Sequence, residues 1–176
     1  MEKSTLPELP AVRILIVDDD KAILEYMQLL LEKDGFQVKA LTDPTLVEEE
    51  VKVGGYHLLI LDLMMPKMDG IETLKRVRKL DSDIAVVIYT GYPNLETAVA
   101  SMKLDAVDYI KKPFNVDEFR DVISRVMRKK GLARTPEEQL HRVIGDTIRN
   151  LRKEKDLTLK QMSRRTGLSV SSSVGG

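Results

Sequence analysis

The sequence predicts an α/β fold: an open parallel sheet of five strands with helices on both faces, followed by a short α-helical C-terminal segment. Three observations predict it. Short runs of Val, Ile and Leu recur along the chain and are apolar at consecutive positions, as strands buried on both faces are. Stretches with helical spacing of apolar residues separate them. Gly, Pro and Asp punctuate the junctions.

The elements follow in order. Residues 12–18, VRILIVD, form the first strand. Residues 21–34 form a helix marked by Ile23, Leu24, Met27, Leu30 and Leu31, with Gly35 as its stop. FQVKAL (36–41) is a short strand, and Thr45 to Val53 a polar helix closed by Gly54-Gly55. HLLILDL (57–63) is the third strand. Pro66 to Gly70 reads as a loop, and Ile71, Leu74, Val77 and Leu80 mark a helix. IAVVIYT (84–90) is the fourth strand, followed by the loop Gly91-Tyr92-Pro93. Leu95, Val99, Met102 and Leu104 lie on the next helix. VDYIK (107–111) is the fifth strand, broken by Lys112-Pro113. Phe119, Val122, Ile123 and Val126 mark the last helix before Gly131.

Composition narrows the chemistry. The 176 residues are 43% hydrophobic and 32% charged, an ordinary globular balance that excludes disorder or a fibre for the bulk of the chain. There is no Cys, which removes disulfides, zinc–thiolate sites, iron–sulfur clusters and thiol catalysis. Only His57 and His141 are present, so a histidine-rich metal site is not expected. No apolar run approaches a membrane span. The N-terminus lacks a basic region followed by an apolar one, so a cytoplasmic location without membrane partners is expected. Residues 1–127 carry 16 Lys and Arg against 23 Asp and Glu, whereas residues 128–176 carry 12 against 5. Opposite charge in the two parts suggests two modules.

In an open parallel sheet, ligands bind at the carboxyl ends of the strands, where the strand order reverses. The first strand ends in Asp18, Asp19 and Asp20, the third at Asp62, the fourth at Thr90 and the fifth at Lys112. Acids, a hydroxyl and a lysine therefore meet on one edge. A cluster of carboxylates repels itself and raises its own pKa values unless a cation neutralises it. A hard cation with oxygen ligands suits such a site, which points to Mg²⁺.

The motifs ILIVDDD, LLILDLMMPKMDG, VVIYTGY and DYIKKPF, in this order and spacing, resemble the receiver domain of bacterial two-component response regulators. The match covers about residues 12–130. It implies a flavodoxin-like sheet of strand order 2-1-3-4-5. It also implies transfer of a phosphoryl group from a sensor histidine kinase or phosphotransfer protein to one aspartate, with Mg²⁺ beside it. Asp62 matches the phosphoacceptor, a carboxylate nucleophile. Asp18 and Asp19 match the acidic pair. By resemblance, Asp19, Asp62 and the Met64 carbonyl ligate the metal and Asp18 acts mainly through water. Lys112 matches the lysine that pairs with the phosphoacceptor and then with a phosphoryl oxygen; Lys111 points to the other face. The resemblance implies a cis bond before Pro113. Thr90 matches the switch hydroxyl and Tyr109 the switch aromatic. The face spanning roughly 91–125 is implied as the surface of a phosphorylation-dependent homodimer or of a partner.

Other residues read as structural. Asp20 is expected to cap the first helix. Asp69-Gly70 is a turn and helix entry. His57 lies at the opposite end of its strand from the site. Asp105 stands where the family usually has a glycine with positive φ, a conformation Asp tolerates less well.

The remainder divides into an N-terminal tail (1–11), a linker (131–137, GLARTPE) and a segment (138–176) that resembles the start of a Cro/repressor-type helix-turn-helix. Leu140, Val143, Ile144, Ile148 and Leu151 have helical spacing. LTLKQMSRRTGLS (157–169) would open the motif, with Gly167 at its turn. The chain ends SVSSSVGG, without the Arg, Asn and Gln that read base edges, so the motif is incomplete. Arg149, Arg152, Lys153, Lys155, Lys160, Arg164 and Arg165 would neutralise DNA phosphates without reading sequence; the alternative is a vestigial basic helix. The functional expectation is a response regulator that controls transcription in the complete protein. The alternative is a receiver acting through protein contact alone, as a phosphorelay intermediate or adaptor. Neither is an enzyme in the ordinary sense.

Overall fold

The computed structural model describes residues 11–132 and 136–155, together with Gln161 and Arg164; of residues 136–143 only the backbone is described. The expected N-terminal tail, apart from Ala11, lies outside these residues. The chain divides into two compact units, with the boundary between Lys130 and Gly131.

In the first unit the main elements run β1 (Arg13–Val17), α1 (Lys21–Lys33), β2 (Gln37–Leu41), α2 (Val47–Val53) and β3 (Leu58–Asp62). A two-stranded hairpin, β4 (Met64–Met65) and β5 (Met68–Asp69), comes next. Then follow α3 (Gly70–Leu80), β6 (Ala85–Thr90), α4 (Leu95–Lys103), β7 (Asp108–Lys111) and α5 (Val116–Lys129). The main sheet is wholly parallel, in the order β2-β1-β3-β6-β7. This is the 2-1-3-4-5 order of a flavodoxin-like fold. The order reverses between β1 and β3, whose carboxyl ends carry Asp18 and Asp62.

Burial alternates from face to face along each strand. Leu15, Val17, Leu59, Leu61, Val86 and Ile88 pack on one face with Val47 and Val51 of α2 and Leu74 and Val77 of α3. Ile14, Ile16, Leu58, Ile60 and Val87 project to the other, where α1 buries Leu24, Met27 and Leu31 and α5 buries Phe119, Val122, Ile123 and Val126. Every residue of β3 and β6 is buried, which accounts for their unbroken apolar runs. Asp20 caps α1, its side chain accepting from the Ala22 and Ile23 amides, and Asp69 caps α3 through the Ile71 and Glu72 amides.

Three local readings change. The loop expected over Pro66 to Gly70 is partly the β4–β5 hairpin, turned by Lys67 at φ 72°. The helix expected from Thr45 begins only at Val47. Pro44–Leu46 form a 3₁₀ turn capped by Asp43, whose carboxylate accepts from the Thr45 amide. Of the apolar residues that mark α4, Leu104 falls just past the helix as its C-cap and packs against the core, while the other three lie on the helix but face outward: Leu95 is 80% exposed, Val99 41% and Met102 73%. The inward side of α4 is made of smaller residues, Thr97, Ala98 and the buried Ser101, whose hydroxyl donates to the Thr97 carbonyl at 2.7 Å. Spacing locates a helix, but it does not say whether the large or the small stripe faces the sheet.

Asp105 adopts φ 57°, the conformation that favours glycine. Arg78 of α3 holds the turn. Its guanidinium donates to the carbonyls of Leu104 (2.8 Å), Asp105 (2.8 Å) and Ile84 (2.5 Å). Burial pulls the Arg78 pKa down, and Asp105, Asp81 and Asp83 oppose the shift. A guanidinium stays charged even so. Asp105→Gly relieves the left-handed strain but enlarges the unfolded ensemble, so we expect a net gain of about 0.5 kcal/mol. Urea denaturation checks it: an unchanged or lower midpoint would show that the strain relieved does not exceed the entropic cost of the glycine.

The second unit contains α6 (Pro136–Glu154). It starts with Pro at the first helical position, inside the stretch read as linker. Ile144 and Leu151 are exposed and Ile148 is half-buried. No helix among the described residues is long and apolar enough to cross a membrane.

Candidate functional site

β1 and β3 are adjacent parallel strands, so their carboxyl ends place Asp18 and Asp62 side by side. Asp18 is fully buried, and Asp62 is 2% exposed. Asp19, one residue on, is exposed. One carboxylate oxygen from each of Asp18, Asp19 and Asp62 lies within 4.8 Å of the others.

Lys112 follows β7 and precedes a cis bond to Pro113. Its Nζ donates to Asp18 Oδ2 at 2.5 Å and to Asp62 Oδ2 at 2.9 Å. It therefore bridges two strands that are not its neighbours in the sheet. The other Asp62 oxygen accepts from the Met64 amide at 2.9 Å, which brings the Met64 backbone beside the carboxylate. Lys111 is exposed.

Thr90 ends β6, one residue beyond the Asp62–Tyr89 register pair, and is fully buried. Its Oγ accepts from the Tyr92 amide at 3.3 Å, so its own proton remains for another acceptor. Tyr109 on β7 is half-buried against the α2–α3 side of the core, and its hydroxyl lies 3.5 Å from Thr97 Oγ1 on α4. The predicted site residues of the receiver thus gather along the carboxyl edge, with Tyr109 reaching α4.

Burial raises the pKa of Asp18 above the ordinary carboxylate value, although hydrogen bonds from Lys112 and from the Asp20 amide oppose the shift. Burial alone would lower the Lys112 pKa, but its hydrogen bonds to Asp18 and Asp62 outweigh that and raise it. The folded chain therefore keeps the Asp18 proton to higher pH than the unfolded chain does. Stability is lost as pH rises through that interval. A cation beside Asp18 removes the cost. Three carboxylates against one ammonium leave two negative charges, and the donors are all oxygen, so the residues fit a hard divalent ion and suit Mg²⁺.

Three residues escaped the sequence reading. Arg78 lies among the polar residues of its helix, with nothing in the spacing to mark it. Gly70 was read only as a helix entry, yet a Cβ there would lie 2.5 Å from Leu63 Cα. Tyr89 carried a signal, as an aromatic inside the aliphatic run IAVVIYT; its ring lies beneath the Lys112 ammonium.

In the second unit, Arg149 and Arg152 are half-buried, and Lys153, Lys155 and Arg164 are exposed. Lys160 and Arg165 lie outside the described residues, as does most of the stretch 157–169 read as opening the motif.

The family model of the response regulator receiver domain matches residues 14–124. The chain is 36% identical over 118 residues to the uncharacterized transcriptional regulatory protein YkoG of Bacillus subtilis (strain 168), covering 67% of this chain and 52% of YkoG. It is 35% identical over 118 residues to sporulation initiation phosphotransferase F of the same organism, covering 67% of this chain and 95% of that protein. The chain thus spans about half the length of the regulator YkoG. Among solved structures, a CheY-like receiver domain protein from Methanospirillum hungatei JF-1 aligns with a TM-score of 0.66 at 31% identity, over 69% of this chain and 97% of that one. The response regulator TrrA from Thermotoga maritima, solved in complex with Mg²⁺-BeF, aligns with a TM-score of 0.59 at 29% identity, over 65% of this chain and 98% of that one. The architecture, the ordered motifs and these matches agree: the chain belongs to the response regulator receiver domain family.

Proposed function

We propose that this chain is a phosphorylation-dependent response regulator in which Asp62 is the phosphoacceptor. The observation that carries the reading is the Lys112 bridge. One ammonium holds both Asp18 and Asp62 at the carboxyl edge, where the strand order reverses. An oxygen of Asp62 bonds to phosphorus as the P–N bond of the donor's phosphohistidine breaks. The electron pair leaves with the imidazole nitrogen, which then takes up a proton. Asp19, Asp62 and the Met64 carbonyl would hold Mg²⁺, with Asp18 acting through water. When bound, Mg²⁺ neutralises the carboxylates and the charge that develops on the phosphoryl oxygens. Lys112 pairs with one phosphoryl oxygen, and the Thr90 hydroxyl donates to another.

Phosphorylation adds about −1.5 to −2 charges and three acceptor oxygens. A conformer in which Thr90 and Lys112 reach them is favoured by that difference in contacts. Tyr109 links the β7 strand to Thr97 of α4, so the face over roughly 91–125 is where the change would be read by a partner or by a second copy. We infer a transcriptional output, in line with the basic residues Arg149, Arg152, Lys153 and Lys155 and with the likeness to the regulator YkoG. A receiver working by protein contact alone is favoured by the likeness to phosphotransferase F, nearly all of which the chain covers. Weak DNA binding that falls steeply with salt separates the first output from the second. The incomplete helix-turn-helix reading of residues 138–176 belongs to the first.

The test is phosphorylation by a small donor. With Mg²⁺ and acetyl phosphate, the full chain gains one phosphoryl group by intact mass, the group is labile to hydroxylamine, and peptide mapping places it on Asp62. Addition of a chelator prevents the gain. A chain that gains no mass, or gains it on a hydroxyl, would refute the reading.

A further inference from the structure

Lys112 is held on two sides. Asp18 and Asp62 take its hydrogen bonds, and its Nζ also lies over the ring of Tyr89, 4.4 Å from the centroid. Tyr89 is 2% exposed and projects from β6 toward the α1–α5 face. Its ring is itself fixed. The edge of one ring meets the other between Tyr89 and Phe114, with centroids 5.5 Å apart and planes at 70°. Phe114 lies 4.9 Å from Phe119 and 6.4 Å from Tyr26. Tyr89, Phe114 and Tyr26 wall a cleft of about 410 Å³ that Ile23, Lys112 and Pro113 complete. The phenol stays neutral: burial raises its pKa, and the charges of Asp18, Asp62 and Asp20 raise it further.

We propose that Tyr89 is a positioning residue for phosphoryl transfer, its ring face holding the Lys112 ammonium at the mouth of the acidic site. The proposal rests on the reading of Asp62 as phosphoacceptor. A lysine side chain is a flexible four-carbon stem, and fixing its head costs rotamer freedom. Asp18 can keep its hydrogen bond throughout, but the one to Asp62 Oδ2 weakens when the O–P bond forms, and a single carboxylate then holds the ammonium. The attraction of the ring for a cation does not depend on the state of Asp62. The ammonium is thus held near the site both before and after transfer, and needs only a short swing from Asp62 Oδ2 to a phosphoryl oxygen. The hydroxyl of Tyr89 has no part in this, so phenylalanine should serve as well as tyrosine.

The experiment compares wild type, Tyr89→Phe and Tyr89→Leu as full chains, with Asp62→Asn as the blank. Two quantities are read: the rate of phosphorylation by acetyl phosphate at saturating Mg²⁺, and the NMR shift of the Lys112 ε-methylene protons. A cation over a ring face predicts a rate about three- to thirtyfold lower in Tyr89→Leu, with Tyr89→Phe within about twofold of wild type. The ε-methylene protons should be shifted upfield by the ring current in wild type and Tyr89→Phe, and not in Tyr89→Leu. A folded Tyr89→Leu with the wild-type rate would overturn the proposal, and so would a Tyr89→Phe as slow as Tyr89→Leu. If Tyr89→Leu does not fold, wild type and Tyr89→Phe still decide: an unshifted ε-methylene in either overturns the placement. A wild-type chain that is not phosphorylated at all overturns the Asp62 reading instead, while the ring-current shift still tests the contact by itself.

Discussion

Asp62→Asn takes up no phosphoryl group from acetyl phosphate, its labelling falling to the background of the assay, while the chain stays folded. The amide removes the nucleophile, since it offers no carboxylate oxygen to form an acyl phosphate. It also removes one of three clustered acids, so Mg²⁺ binds more weakly. The effect on folding is small because two changes oppose each other. Without a cation, removing one carboxylate relieves repulsion with Asp18, which burial already pushes toward its neutral form. Against this, the new amide can place its oxygen toward the Met64 amide or toward Lys112 Nζ, but not both. Its NH₂ then faces a donor. Each such exchange costs about 1 kcal/mol, so stability without metal should stay within about that of wild type. Intact mass after exposure to the donor, beside a urea titration in chelator, reads both halves. A variant that still gains a phosphoryl group would place the acceptor elsewhere.

Gly70→Ala does the reverse, and harms the fold before the chemistry. Gly70 opens α3, where alanine is ordinarily welcome. Here the added Cβ would lie 2.5 Å from Leu63 Cα and 2.8 Å from the Leu63 carbonyl oxygen. These are backbone atoms, and no rotamer change clears them. Either α3 must lift from the sheet or the chain at Leu63 must shift. Both options disturb the buried Leu63 and Leu74. Overpacking of this kind costs about 3 kcal/mol, only partly offset by the reduced freedom of the unfolded chain. In thermal melts that corresponds to a fall in Tm of about 10 °C. Leu63 directly follows Asp62, so the survivors should phosphorylate slowly as well. A Tm within about 2 °C of wild type would mean that the close approach relaxes without cost.

The two variants mark how far the sequence could be read. Asp62 was legible because a strand buried on both faces seldom ends in acid, and because Asp18, Thr90 and Lys112 end strands in the same way. The strands were legible for the same reason, their runs being apolar at every position. Strand order came from the resemblance, since periodicity is blind to which neighbours pair. The β4–β5 hairpin has only two residues per strand, too few for an alternation to show. The outward stripe of α4 repeats with the same period as an inward one, and only the small residues opposite it, Ala98 and Ser101, hinted at its direction. Gly70 could not be read because its constraint comes from Leu63, just past the end of β3 and seven residues away.

The Arg78 clamp gives α4 the mechanics of a lever. The three carbonyls it gathers lie at the start of β6 and in the turn after α4, so the far end of the helix is riveted to α3 and to the sheet. The near end is tied more lightly, by the Asn94 cap, whose side chain accepts from the Thr97 amide, and by the Thr97–Tyr109 hydroxyl contact at 3.5 Å. Small residues beneath the shaft offer little friction. If Thr90 is the switch, a push there would meet the lightly tied end of the lever, with the fulcrum at Leu104 and Asp105. Travel would then be greatest at Leu95 and fade toward Met102, so a partner gripping the first turn of α4 would feel the stroke that one gripping the last turn would miss.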